Sequence, residues 1–224
     1  MVFRSLLLAA AVFLYFADRE MLDFTAAFRG GFKGGFLLVV WVFLAVSMVF
    51  RIFPNRRIAM GARKHFSCSY DASPSATDGV VFTPAMRKSL NKGAFLSGLA
   101  WVLLNAAVYL ALSALDMLSP AALVVLLLAY SVCDMVCILF FCPFRVFFMR
   151  NRCCVVCRIY NWDCFMICTP MVIFPSVFSL SLLLISVAVL LRWEIALRRN
   201  PEFFVEECNE NLSCEKCRDK PCRF

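Results

Sequence analysis

Two long apolar runs in the middle of the chain, residues 94–115 and 121–142, restrict the fold more than any other feature. Each reaches the roughly 20 residues that an α-helix needs to cross the ~30 Å hydrocarbon core of a bilayer. Hydrophobic residues make up 62% of the chain, well above the roughly 45–50% that is typical of soluble domains. One soluble core cannot bury that excess. The sequence therefore predicts an all-α, polytopic membrane protein.

The first half of the chain contains two further apolar stretches. Residues 36–53 nearly reach the spanning length and end at Pro54. Residues 5–17 follow Arg4 in the manner of a signal peptide, but no small-x-small cleavage site precedes Asp18. We expect a retained signal anchor, the alternative being a cleaved peptide. With the two central runs, these stretches predict four transmembrane helices.

Basic residues predict the topology, because Lys and Arg favour the cytoplasmic side of a membrane. All but three of the 23 Lys and Arg residues fall inside if both termini are cytoplasmic. The cytoplasmic parts are then the loop 54–93 and the juxtamembrane segments 143–158 and 192–224. We expect one membrane domain covering residues 1–224, in the cell membrane as a multi-pass protein.

The last apolar stretch, residues 159–191, is predicted to fold back on itself. Its two flanks share a side only if it crosses the membrane an even number of times. Pro175 is a natural turning point, since proline lacks the amide donor that a helix interior needs. The sequence therefore predicts a Pro-broken helical hairpin, the alternative being one kinked helix. Whether the first arm, residues 159–174, spans the membrane or is re-entrant stays open.

Two Cys-x-x-Cys pairs flank this hairpin, Cys154–Cys157 and Cys214–Cys217. Four such thiols form the tetrahedral soft-ligand set that selects zinc or iron. The pattern predicts a small four-cysteine metal knuckle on the cytoplasmic face, with zinc favoured and iron as the alternative. Cys153 adjoins Cys154 and could replace it as a ligand. A redox dithiol has the same spacing but normally accompanies a βαβ context, which is missing here.

The other cysteines in the apolar runs are interpreted as small hydrophobic residues. These are Cys133, Cys137, Cys142, Cys164 and Cys168.

Asp134 lies in a predicted span, where an ionised carboxylate is costly and marks a functional candidate. Asn105, in the preceding span, is a candidate hydrogen-bond partner for it. The structural interpretation is a hydrogen bond that holds two helices together. The functional interpretation is an intramembrane polar site of a small transporter.

Three patches of the chain resemble an uncharacterised family of small bacterial integral membrane proteins with paired Cys-x-x-Cys motifs. They are residues 151–163, the tetrapeptide Phe53-Pro54-Asn55-Arg56 and the second cysteine pair. The resemblance implies a membrane location and paired cysteines, and it implies no activity.

The sequence thus favours a non-enzymatic membrane protein whose zinc is structural. No nucleophile–base pair is evident, and the single histidine, His65, makes a His-based catalytic zinc site improbable. One alternative is a membrane-anchored electron-transfer protein with a rubredoxin-like iron, and another is the transporter using Asp134 and Asn105. The expected partners are the lipid bilayer and a protein partner or second copy, with no nucleic acid.

Overall fold

The computed structural model describes residues 1–25, 34–53, 62–66, 70–72, 83–151 and 153–213. Within these ranges the regular elements are helices, apart from one isolated bridge between Ala72 and Asn209. The α-helices are α1 (Val2–Ala17), α2 (Gly35–Ile52), α3 (Pro84–Ala114), α4 (Pro120–Leu139), α5 (Asp163–Cys168) and α6 (Val177–Arg199). The all-helical prediction is confirmed for the described residues.

Four of these helices are long and apolar enough to cross a membrane: α2, α3, α4 and α6. The predicted set of spans differs by one member. Helix α1 covers the predicted first span but has only 16 residues, fewer than the roughly 20 that a bilayer requires. The fourth candidate span is instead helix α6, which is the second arm of the predicted hairpin.

Helix boundaries also correct the predicted loops. Helix α3 begins at Pro84, so residues 84–93 of the predicted loop 54–93 are helical. Helix α6 continues to Arg199, into the predicted juxtamembrane segment 192–224. In both cases the helix extends beyond its apolar stretch by roughly two to three turns that carry charged residues. Hydropathy locates the lipid-facing part of a helix and does not locate its ends.

The chain groups into two compact units, each assembled from three stretches of sequence. The first unit comprises residues 1–49, 101–135 and 163–189. Its contacts include the stacked rings of Phe24 and Phe178, with centroids 5.7 Å apart, and a 2.8 Å hydrogen bond from Trp41 Nε1 to Ser181 Oγ. Segments far apart in sequence are therefore joined by aromatic and hydroxyl contacts.

The second unit comprises residues 50–100, 136–162 and 190–224. An aromatic cluster lies in its core, where the buried residues Phe66, Trp193 and Phe204 pack together. The fully buried ring of His65 stacks on Phe204 at 4.7 Å and meets the edge of Trp193 at 4.9 Å. A residue of the predicted cytoplasmic loop is thus part of a hydrophobic core.

Burial of His65 should make the stability of the protein depend on pH. Burial, with a smaller contribution from the Lys64 charge, lowers the pKa of the imidazole to about 3, whereas the unfolded value is about 6.5. Between these values the unfolded chain binds a proton that the folded chain does not. The stability is therefore fully present above about pH 6.5, and it falls by about 1.4 kcal/mol per unit as the pH drops below that value.

The measurement is the free energy of unfolding in detergent between pH 4.5 and 7, compared with a His65→Phe variant. Phenylalanine keeps the ring packing and removes the titrating group, so its slope should be shallower by about one proton. Identical slopes for the two proteins would contradict the burial argument.

A close backbone approach in the second unit requires a glycine. A Cβ built on Gly93 would lie 2.8 Å from Met149 Sδ and 2.9 Å from the carbonyl oxygen of Phe148. Both contacts come from a π-helical turn, Phe144–Met149. The turn ends at Arg150 in the left-handed region, with φ 54°. Gly93 therefore lets this turn approach α3 directly.

Candidate metal centre and membrane polar contacts

The first cysteine pair lies on a single tight turn. Residues Cys154–Val156 form a 3₁₀ helix, and the amide of Cys157 donates to the carbonyl oxygen of Cys154 at 3.0 Å. Both cysteines are buried, and Cys157 packs with Ala94 and Ile159. Burial raises the pKa of the Cys157 thiol to about 12. The turn supplies two thiols close together in sequence and in space, as a metal knuckle requires.

The Cys154 thiol has neighbours that the sequence analysis missed. Its Sγ donates to the carbonyl oxygen of Cys137 at 3.2 Å, and the Cys142 thiol lies beside it. Hydrogen bonds from the Cys137 and Cys154 thiols lower the pKa of Cys142, and the same contact with Cys142 raises the pKa of Cys154. Cys137 and Cys142 are therefore polar neighbours of a candidate ligand as well as small hydrophobic residues. The available signal was Pro143, which turns the chain just after Cys142.

The second pair, Cys214 and Cys217, lies outside the described residues. The chain leading to it is well anchored. Leu212 is buried at the end of a 3₁₀ turn, Glu210–Leu212. Leu212 and Val156, which lies between the two cysteines of the first pair, line the same cavity of about 630 Å³. Among the described residues, no group of three or more His, Cys, Asp or Glu side chains could hold a metal.

Asn209 fixes the segment that leads to the second pair. Its side chain is fully buried and donates to the carbonyl oxygens of Lys64 at 2.9 Å and Phe203 at 3.0 Å. Next to it, the amide of Glu210 donates to the carbonyl oxygen of Asp71 at 2.8 Å. Such buried side-chain bonds to backbone specify one arrangement, because an unmade bond leaves a polar group unsatisfied.

The two flanks of the predicted hairpin meet in the second unit. Arg158 Nη2 donates to Glu194 Oε2 at 3.0 Å, and Trp162 Nε1 donates to Glu194 Oε1 at 2.8 Å. Trp193 Nε1 donates to the carbonyl oxygen of Arg158. We call Arg158, Trp162, Trp193 and Glu194 the hairpin base. Burial lowers the pKa of the Arg158 guanidinium, and the nearby Glu194 opposes that shift.

In the first unit the same two arms meet nearer their turn. Ser179 Oγ donates to the carbonyl oxygen of Phe174 at 3.0 Å. The sequence separation of paired residues shrinks from the base towards residue 175, so the chain doubles back there. The first arm is a succession of short 3₁₀ and α-helical turns between Tyr160 and Val172, and it holds none of the four spanning-length helices.

Asp134 has a cationic partner that the sequence analysis did not anticipate. Arg4 Nη1 binds Asp134 Oδ2 at 2.9 Å and also donates to the carbonyl oxygen of Ser131 at 2.9 Å. The side chains are largely buried, with 16% and 10% of their surfaces exposed. The start of α1 therefore lies beside the end of α4. An ion pair of this kind favours the interpretation of Asp134 as a contact between helices.

Asn105, the predicted partner of Asp134, has hydrogen bonds of its own. Its Oδ1 accepts from Tyr109 Oη at 2.8 Å, Tyr130 Oη at 3.2 Å and Thr169 Oγ1 at 3.2 Å. Its Nδ2 donates to the carbonyl oxygen of Trp101 at 2.9 Å. The amide thus links α3 to α4 and to the first hairpin arm, within the first unit.

A double-mutant cycle should show that Arg4 and Asp134 act together. Either Arg4→Met or Asp134→Asn alone leaves a polar partner buried without its counter-charge, whereas the double variant removes both charges. We expect the two effects on the free energy of unfolding to be non-additive by about 0.5–3 kcal/mol, the usual range for contacting residues. Additive effects would show that the pair does not couple α1 to α4.

No protein-family model, no curated protein and no solved structure matches the chain. The resemblance to the small bacterial membrane proteins therefore rests on the three motifs alone.

Proposed function

We propose that this chain is a multi-pass membrane protein with a structural four-cysteine zinc site on its cytoplasmic face, formed by Cys154, Cys157, Cys214 and Cys217. The observation that carries the proposal is the cavity shared by Val156 and Leu212. It brings the turn of the first pair close to the segment that leads directly into the second. The described chain thus approaches the first pair two residues before the second pair begins.

The donor set determines the chemistry of this site. Four thiolates suit zinc, and they close its tetrahedral shell without leaving a position for water. A structural role follows, and the protein is then non-enzymatic at this metal. Four thiolates around Zn²⁺ also leave a formal charge of about −2. Arg150, which precedes the first pair, would offset part of it.

Metal binding requires one local rearrangement of the first cysteine pair. Cys154 would have to exchange its hydrogen bond to the Cys137 carbonyl oxygen for a bond to the metal. Cys153 is also buried, next to the same turn, and is the alternative ligand if Cys154 keeps its present partners. Iron in place of zinc would make the site an electron-transfer centre, which is the second function that the donor set allows.

The proposal includes the topology, with both termini cytoplasmic. The Arg4–Asp134 contact supports it, because it brings the start of α1 to the end of α4, as expected if both lie on the cytoplasmic side. The doubling back of the chain at residue 175 supports it too, since it returns the end of α6 to the start of the hairpin, at Arg158 and Glu194.

Elemental analysis of the purified full-length protein tests the proposal. We expect one zinc per chain and no visible absorbance, whereas red protein with one iron per chain would support the electron-transfer alternative. Protein without stoichiometric metal would contradict both. A reporter fused after Phe224 that acts on the opposite side from one placed in loop 54–93 would contradict a site shared by the two pairs.

A further inference from the structure

A second cavity in the second unit, of about 480 Å³, is lined by more basic than acidic side chains. Arg87 and Asn91 reach it from the first turns of α3, and Arg198 reaches it from the last turn of α6. Arg158 and Glu194 of the hairpin base complete its polar lining. Three arginines face one glutamate, whose carboxylate already binds Arg158. Among the described residues, the lining therefore carries more positive than negative charge.

Arg158 is the most buried of the three arginines in the cavity lining. Only 6% of this residue is exposed, and one of its nitrogens, Nη2, binds Glu194. Its Nε and Nη1 atoms are buried and have no hydrogen-bond partner within the described part of the chain. Buried donors on a charged group are costly when they are left unsatisfied. Because these two atoms have almost no accessible surface, Arg158 contributes its positive charge to the cavity and only a small accessible edge for direct contact.

A shallow groove along α3 adjoins the cavity and extends it. The groove, of about 500 Å³, shares Arg87 and Asn91 with the cavity and adds Lys88 and Lys92. The same helix face continues through Phe95, which is 69% exposed, to Leu99, which is 45% exposed. Residues at these spacings lie above one another on a helix. One face of α3 thus changes from basic to apolar within about two turns.

We propose that the cavity and groove bind an anionic phospholipid, with its phosphate at Arg87, Arg158 and Arg198 and an acyl chain along Phe95 and Leu99. Arginine is suited to phosphate because its planar fork can donate two parallel hydrogen bonds to the oxygens. Basic pockets between membrane helices on the cytoplasmic side are recognised sites for lipid headgroups. A soluble phosphate would use the arginines but would have no use for the apolar continuation of the groove.

This proposal is independent of the zinc site. It requires that α3 and α6 cross a membrane, as their length and composition allow, so that their basic turns lie at the headgroup level. Lipid binding depends on the arginines that line the cavity and on no cysteine. Loss of metal and loss of lipid can therefore be measured separately in the same preparation.

The test is retention of lipid by the full-length protein in detergent, measured by native mass spectrometry after exposure to mixed phosphatidylglycerol and phosphatidylcholine. We expect preferential retention of phosphatidylglycerol. Arg87→Gln and Arg198→Gln should each weaken it about fivefold, the effect of one basic residue near an anionic lipid. Arg199→Gln is the matched control, because it removes the same charge from the same helix end at a residue outside the cavity lining.

Both test residues are exposed, so the variants should fold, and an unchanged midpoint of thermal unfolding would verify this. Equal retention of the two lipids would overturn the proposal, and so would equal losses in the Arg198→Gln and Arg199→Gln proteins. A third measurement adds inorganic phosphate without lipid. Saturable stabilisation by phosphate, without any preference for phosphatidylglycerol, would assign the cavity to a soluble ligand and also overturn the lipid as occupant.

Discussion

Replacing both Cys157 and Cys214 by serine should remove one bound metal per chain and release the C-terminal tail to protease. Metal binding contributes on the order of 10 kcal/mol in small zinc modules, which is comparable to the whole stability of many domains. In this chain the metal would join the 3₁₀ turn after Cys154 to the segment beyond Leu212. The measurements are metal content by elemental analysis and the rate of proteolysis of the C-terminal tail.

The other cysteines provide matched controls for this experiment. Cys133→Ser, Cys164→Ser and Cys208→Ser remove the same thiol from positions outside the proposed site, and each variant should keep its metal. Comparing Cys153→Ser with Cys154→Ser identifies the fourth ligand, because only the variant that lacks a ligand loses the metal. Full metal occupancy in the Cys157→Ser, Cys214→Ser protein would refute the site.

The helical architecture was predictable because lipid restricts what an apolar run can do. Residues 94–115 and 121–142 fall largely within α3 and α4, and the chain doubles back at Pro175. Helix α1 is shorter than the other candidate spans, because it ends at Asp18, whose backbone is extended. Its side chain instead accepts from the amide of Glu20 and begins a 3₁₀ turn. A short polar residue with this local bond competes with the helix.

The contacts between side chains could not be predicted from the sequence. Arg4 and Asp134 are separated by 130 residues, and His65 and Phe203 by 138. Neither pair can be inferred from periodicity, which reports only which face of a helix is apolar. His65 illustrates the difficulty, because a histidine in a basic loop gives no sign that Trp193 and Phe204 will enclose it. Asn105 was recognised as an important polar residue, but its partners depend on which helices surround it.

The hairpin base lies at a chain reversal that the sequence predicted, but the side-chain contacts that close it were not predicted. Trp193 is fully buried between His65, Phe66 and Phe204, and its Nε1 binds the backbone of Arg158. Its neighbour Glu194 binds the side chain of the same arginine. Consecutive residues of α6 therefore hold the backbone and the charge of one residue at the start of the hairpin. Protein contacts join the two hairpin arms at the base, and the proposed metal would add a second connection between them.

Glu194→Gln should destabilise the protein by about 3 kcal/mol, because it leaves the Arg158 charge buried without its counter-ion. Removing one partner of a buried pair typically costs about 3–5 kcal/mol, whereas replacing both by apolar residues is often neutral. The Arg158→Met, Glu194→Met protein should therefore recover most of the lost stability. The measurement is the free energy of unfolding in detergent, with the exposed Glu207→Gln as a control that should change it by less than about 0.5 kcal/mol. If Glu194→Gln matches that control, the ion pair does not hold the hairpin base, and the aromatic contacts of Trp193 alone must close it.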